Sequence, residues 1–193
     1  MDNGTPVPSI AELGHVGVRC FDTEAQVRFY TTILGLTVTD HDPELGTWFL
    51  TARPGSEHHE LLLTGGRSAA RDARLIQQIS FRCPGLADVQ AFYRRLVDAG
   101  TAIDMTVSHG NAVGCYFFDP EGNRCEVYWQ TGLEARQPFV QPVDLSADPD
   151  ALLADVADGA RRFGQQGYVT ADYAAWTKNP AGPPPQPDSE PAS

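Results

Sequence analysis

Three residues of this chain have the types and the placement to hold a divalent metal: His15, Gln78 and Glu126. His15 stands in Gly14-His15-Val16-Gly17-Val18-Arg19-Cys20, and Gln78 takes the same place in Gln77-Gln78-Ile79-Ser80-Phe81-Arg82-Cys83. Phe29-Tyr30 returns as Phe92-Tyr93 at the identical offset, so the chain reads as a tandem duplication. The pseudo-twofold relation between the halves is expected to bring positions 15 and 78 face to face. Glu126, on the closing strand of the second half, completes a set of imidazole, amide oxygen and carboxylate that leaves adjacent coordination positions open to substrate or dioxygen. The duplication carries this reading, because a lone histidine or glutamate on a strand is more often an ordinary surface or core residue.

The elements that must position these residues follow from periodicity. Leu13 to Phe21 alternates as a strand, with His15, Gly17 and Arg19 on one face and Val16, Val18 and Cys20 on the other. Asp22 and Thr23 offer cap chemistry for a helix from about Glu24 to Ile33, which Gly35 stops. Strands near Thr37 to Asp40, Gly46 to Ala52 and His58 to Thr64 close the first module. The second repeats the order: strand Leu75 to Cys83, helix Leu86 to Ala99, then strands near Ala102 to Val107, Asn111 to Phe118 and Arg124 to Gln130. The expected fold is therefore α+β: two tandem βαβββ modules, residues 13–65 and 75–132, forming one curved mixed sheet around a metal and ligand cleft. Residues 1–12 read as a lead-in and 133–177 as an extension: a Pro- and Gln-bearing loop, then a helix capped near Asp148-Pro149 and running to about Phe163. Residues 178–193, with six prolines, read as a disordered tail.

Composition narrows the function classes. Net charge of −11, from 14 basic and 25 acidic side chains with no Lys/Arg cluster, argues against nucleic acid and anionic lipid as partners. Apolar stretches such as Val113 to Phe118 are far shorter than a membrane helix needs, and Met1 to Ser9 lacks a secretory layout, so the cytoplasm is the expected compartment. Cys20, Cys83, Cys115 and Cys125 have no CxxC spacing and lie in apolar runs, which suits buried thiols.

From Leu13 to Gly132 the chain resembles the vicinal oxygen chelate superfamily, the group of glyoxalases, bleomycin-resistance proteins and extradiol dioxygenases. The most specific stretch, Tyr116-Phe117-Phe118-Asp119-Pro120-Glu121-Gly122-Asn123-Arg124-Cys125-Glu126-Val127, is similar to the YxxDPxGNxxEv ending of single-domain type I extradiol ring-cleaving enzymes. The resemblance implies that Glu126 is an iron ligand and that Tyr116 hydrogen-bonds the substrate. His59-Glu60-Leu61-Leu62 is similar to the motif whose histidine is the acid/base for the catechol hydroxyl proton, and His109 resembles a further substrate-contacting histidine. Position 78 departs from the pattern, since those enzymes carry histidine there in an H-[IV]-[AS]-F context. An amide oxygen is a weaker donor than imidazole, although glutamine is a ligand in some glyoxalases of the same superfamily.

Aligning the modules on Pro54 and Pro120 pairs Glu60 with Glu126, whereas aligning on Thr64-Gly65 and Thr131-Gly132 pairs His59 with it. The first implies a four-ligand, glyoxalase-type set of His15, Glu60, Gln78 and Glu126. The second, favoured by the dioxygenase-like context of His59, leaves more room at the metal. Trp48, Phe118 and Trp129 are candidates to line the cleft. The resemblance implies an iron(II)-dependent extradiol dioxygenase-like enzyme acting with dioxygen on an aromatic diol, with Mn, Zn or Ni as other divalent metals and a homodimer as a possible assembly. The alternatives are a metal-assisted isomerase, lyase or hydrolase without oxygen chemistry, and a metal-free resistance protein that sequesters an aromatic natural product.

Overall fold

Amide and carbonyl pairing sorts the strands into two mixed sheets, one in each of two compact units, in a computed structural model that describes residues 9–73 and 75–169. The first unit is built from β1 (Val16–Cys20), α1 (Thr23–Thr32), β2 (Thr37–Asp42), β3 (Thr47–Thr51) and β4 (Leu61–Gly65), with sheet order β1-β4-β3-β2. The second begins with β5 (Ile79–Arg82), α2 (Leu86–Asp98), β6 (Ile103–Ser108), β7 (Ala112–Phe118) and β8 (Arg124–Gln130), in the equivalent order β5-β8-β7-β6. In each of these four-strand sets the first strand runs parallel to the last and the remaining pairs are antiparallel. The duplication read from two short motifs is thus a duplication of topology.

Local chemistry explains the boundaries. The Asp22 carboxylate accepts the Ala25 N–H at 2.9 Å and caps α1, and Gly35, at φ 74°, takes the left-handed conformation that ends the turn. Asp148 caps the third helix, α3 (Pro149–Phe163), by accepting from Asp150 N and Ala151 N, with Pro149 in the first turn where no N–H is needed. One face of each sheet packs on apolar side chains. Val18, Cys20, Leu50, Leu61 and Leu63 are buried in the first unit, and Val113, Cys115, Phe117, Cys125 and Val127 in the second. All four cysteines are buried thiols; burial pushes the Cys83 thiol up to about 11 and that of Cys115 up to about 12. No described helix is long and apolar enough to cross a membrane.

Several boundaries differ from the sequence expectation, each for a physical reason. β1 and β5 start at Val16 and Ile79, so His15 and Gln78 lie just ahead of their ladders rather than inside them. β4 starts at Leu61, and the backbone bends at His58 and Glu60, so strict alternation does not decide which of His59 and Glu60 faces which way. The stretch expected as a Pro- and Gln-bearing loop carries β9 (Phe139–Pro142), which pairs with β6 and, on its other side, with β10 (Tyr168–Val169). Buried Phe139 and Val140 drive that pairing despite Pro138 and Pro142 at its ends. The expected tail, 178–193, lies outside the described residues, as does much of the lead-in.

Register is the detail that matters for a site. Ser80 pairs with Glu126 across β5 and β8, and Tyr116 pairs with Glu126 across β7 and β8. In the first unit the same places hold Gly17 against Leu62 and Phe49 against Leu62. Leu62 therefore occupies the position of Glu126, and both alignments drawn from the sequence, through His59 or Glu60, give way to the ladder. The β7–β8 register is set by the turn between them. Asp119, 2% exposed, accepts the N–H groups of Glu121 and Asn123 and the Asn123 side-chain amide at 2.8–2.9 Å, while Gly122 supplies a φ of 79°. Asp119→Ala leaves two of those backbone donors without their acceptor and is expected to cost roughly 2–3 kcal/mol. A urea midpoint within error of the parent would contradict that role.

Candidate functional site

Unit 1 gathers histidines. The rings of His15 and His59 lie 4.3 Å apart between centroids, and Phe49 contacts His59 edge-on at 5.1 Å. His58 Nδ1 and His59 Nδ1 are 2.9 Å apart, so one ring donates to the other, and His58 Nε2 lies 3.8 Å from the Asp40 carboxylate. Glu60 is turned to other partners: its carboxylate accepts from Thr51 Oγ1, Ala52 N and the Arg53 guanidinium, at 2.8–3.1 Å. Removal of water, and then the charges of His15 and His58, hold His59 below the ordinary imidazole range. His41 stacks on Trp48 at 3.8 Å, apart from these contacts.

Unit 2 gathers a polar series on the inner face of β5, β8 and β7. Glu126 is 5% exposed. Its Oε2 accepts from Ser80 Oγ at 2.5 Å and from Gln78 Nε2 at 3.1 Å. Gln78 Oε1 in turn accepts from Arg124 Nη1 at 3.2 Å. The Arg124 guanidinium donates from Nε to Asp104 at 2.7 Å and lies 3.9 Å over the ring of Tyr116, a cation–π contact. The Tyr116 hydroxyl is 3.0 Å from His109 Nε2, and His109 Nδ1 is 2.8 Å from the carbonyl of Phe139 on β9. A carbonyl only accepts, so Nδ1 carries the proton, and in the neutral ring Nε2 accepts from Tyr116.

Of the residues singled out from the sequence, the first unit thus brings together His15 and His59, and the second links Gln78, Glu126, Tyr116 and His109. Within either unit, among the described residues, no three His, Cys, Asp or Glu side chains gather to hold a metal by themselves. Sequence reasoning missed Ser80, Arg124 and Asp104. The alternation that put Gln78 and Ser80 on one face, and Arg124 and Glu126 on another strand's matching face, was the available signal. Asp104 had none, because it sits at a register shift in β6. Gly114 was also missed: a Cβ there would fall 2.6 Å from Glu126 Oε1, so only glycine lets the carboxylate lie across β7. Trp48 pairs with buried Leu63 and Trp129 with buried Val113, on the core-facing side of each sheet; of the three proposed lining aromatics, Phe118 alone shares the face of Tyr116.

On chemistry alone, imidazole nitrogen and carboxylate oxygen suit iron(II), and carboxylate oxygen also suits manganese(II). The amide of Gln78 is the weaker part, since its oxygen is engaged by Arg124.

The model of the Glyoxalase/Bleomycin resistance protein/Dioxygenase superfamily matches residues 12–127. The chain is 28% identical over 60% of its length to biphenyl-2,3-diol 1,2-dioxygenase 3 of Rhodococcus globerulus, covering 61% of that protein. It is 32% identical over 62% of its length to the manganese-dependent 2,3-dihydroxybiphenyl 1,2-dioxygenase of Geobacillus genomosp. 3, covering 37% of it. The chain thus spans less than two thirds of the length of the curated relatives it matches. Among solved structures, the fosfomycin resistance protein FosX of Listeria monocytogenes superposes with a TM-score of 0.52 at 17% identity, over 64% of this chain and 97% of that one, a likeness of fold.

Because desolvation disfavours the charged form of His59 in the fold, it is expected to titrate below the ordinary imidazole range. The stability it contributes is intact above the ordinary histidine range and is lost as pH falls through that range toward its own lower midpoint. His58→Ala removes one of the charges opposing protonation and should move the His59 midpoint upward in a ¹H–¹⁵N NMR titration. An unmoved midpoint would show that His58 exerts no field there.

Proposed function

The chain belongs to the Glyoxalase/Bleomycin resistance protein/Dioxygenase superfamily, and within it we propose a metal-dependent, extradiol dioxygenase-like enzyme that opens a catechol-type aromatic diol with dioxygen. The observation that carries this reading is the unbroken series from His109 through Tyr116, Arg124 and Gln78 to Glu126. It sets a phenol hydroxyl and a carboxylate on opposing strands, as binding of a diol beside a cation requires. The two dioxygenase relatives, both named for dihydroxylated biphenyls, support the same substrate class.

In this reading His15, Gln78 and Glu126 hold the metal, iron(II) first, with manganese, zinc or nickel as the other candidates. When bound it supplies the Lewis acidity that favours the deprotonated diol and its reaction with dioxygen. The protein's own groups do the rest. His59, neutral near pH 7 because its proton affinity is lowered, takes the diol proton as a general base. Tyr116 gives its hydrogen to His109, which leaves its oxygen lone pairs to accept from a substrate hydroxyl. Phe139 O fixes the His109 tautomer that makes this direction of donation possible. Phe118, on the face of Tyr116, offers apolar surface for an aromatic ring.

One observation favours a second reading. Gln78 turns its nitrogen, not its oxygen, toward Glu126, an arrangement that suits a superfamily member without oxygen chemistry or a metal-free binder of aromatic natural products. Metal analysis of protein purified anaerobically without chelator separates these readings, joined to oxygen uptake over a catechol panel and the yellow absorbance of ring-opened products. Stoichiometric metal with oxygen consumption is expected, and metal-free protein that still binds aromatic ligands would sink the dioxygenase reading.

Two variants sharpen the assignment. Glu126→Ala is expected to abolish metal retention, and parental metal content would remove Glu126 from the ligand set. His59→Ala is expected to keep the metal but lower kcat by roughly 10²-fold or more. An unchanged kcat would end its role as the base.

A further inference from the structure

Gln78 is held by Arg124 in an orientation opposite to the one a metal ligand needs. Its Oε1 accepts from Arg124 Nη1 at 3.2 Å, while its Nε2 reaches Ser80 Oγ at 2.7 Å and Glu126 Oε2 at 3.1 Å. These partners fix the amide assignment, because a guanidinium only donates and a carboxylate only accepts. Reversing the amide would set its NH₂ against the guanidinium and its oxygen against the carboxylate, losing two hydrogen bonds and creating two repulsions. Arg124 cannot easily yield. Its side chain is 9% exposed, paired with Asp104, itself 11% exposed, and stacked on Tyr116.

We infer that Arg124 is a positioning residue that latches Gln78 as a hydrogen-bond donor to Glu126 and thereby lowers the affinity of the site for a divalent metal. The inference rests on the metal-site reading above and says what regulates that site. In the metal-free protein the latch supplies Glu126 with neutral donors in place of a cation. Metal uptake then requires the amide to turn over and release Arg124, so affinity depends on a residue that never touches the metal. The same latch ties metal occupancy to Tyr116, since the guanidinium that holds Gln78 also covers that ring.

The test measures manganese(II) dissociation constants by EPR on the full chain. Replacing Arg124→Met together with Asp104→Asn removes the guanidinium and its buried counter-charge at once, leaving no unpaired ion. This pair of substitutions should tighten binding about tenfold when position 78 is Gln. In a Gln78→His background the same pair should change the constant less than twofold, because imidazole is not latched. An equal change in both backgrounds, or none with Gln78 in place, overturns the latch. Gln78→His alone should also tighten binding; if it does not, position 78 is no ligand and the metal-site reading fails separately. Should the double substitution not fold, the side-chain amide of Gln78 in the metal-free parent decides. NOE contacts from its Nε2 protons to Ser80 are expected, and contacts to Arg124 in their place overturn the proposal.

Discussion

A carboxylate that is almost completely withdrawn from water must be given donors, and the inner face of the second unit is arranged around that requirement at Glu126. Ser80 donates from the paired strand, Gln78 donates from one strand-turn earlier, and Gly114 vacates the space across which the carboxylate lies. Each contribution depends on register. Moving β8 by one residue would turn Glu126 into the core and Cys125 out of it. The Asp119–Gly122 turn, which sets where β8 begins, is therefore as much a part of the site as the side chains in it.

Comparison of the two modules shows how duplication divided the chemistry. At matching ladder positions the second module carries Ser80, Glu126 and Tyr116 where the first carries Gly17, Leu62 and Phe49. The first module in turn holds the imidazoles, His15 and His59, against an aromatic ring. Within either unit, among the described residues, no three His, Cys, Asp or Glu side chains gather to hold a metal. The second module thus carries an acidic, hydroxyl-bearing face and the first a cluster of imidazoles, while the core residues of both sheets are apolar.

The topology was legible because periodicity and punctuation agree. The Asp22 cap, the Gly35 stop, the alternation in Val113 to Phe118 and the DPEGN turn all report local energetics that tertiary contacts did not override. Gln78 and Glu126 were legible as neighbours, since both were assigned to one cluster, whereas the resemblance set His109 and Tyr116 each against a substrate and did not foretell the bond between them. What escaped was whatever depends on exact pairing. The place of Leu62 could not be seen through a loop of different length in each module, and β9 was hidden by its flanking prolines. Arg124 was passed over although alternation sets it on the face of Glu126; its bridge between Asp104, Gln78 and Tyr116 depends on exact strand pairing.

The strand that follows the second module has a bearing on how chains of this superfamily diverge. Because the Phe139 carbonyl of β9 accepts from His109 Nδ1 and so keeps the proton on that side of the ring, the direction in which Tyr116 shares its hydrogen is dictated from outside the duplicated scaffold. Without that carbonyl nothing in the contact with Tyr116 would fix which ring nitrogen carries the proton. Growth at the carboxyl-terminal side could therefore retune proton traffic in the pocket while every inherited module residue stayed the same.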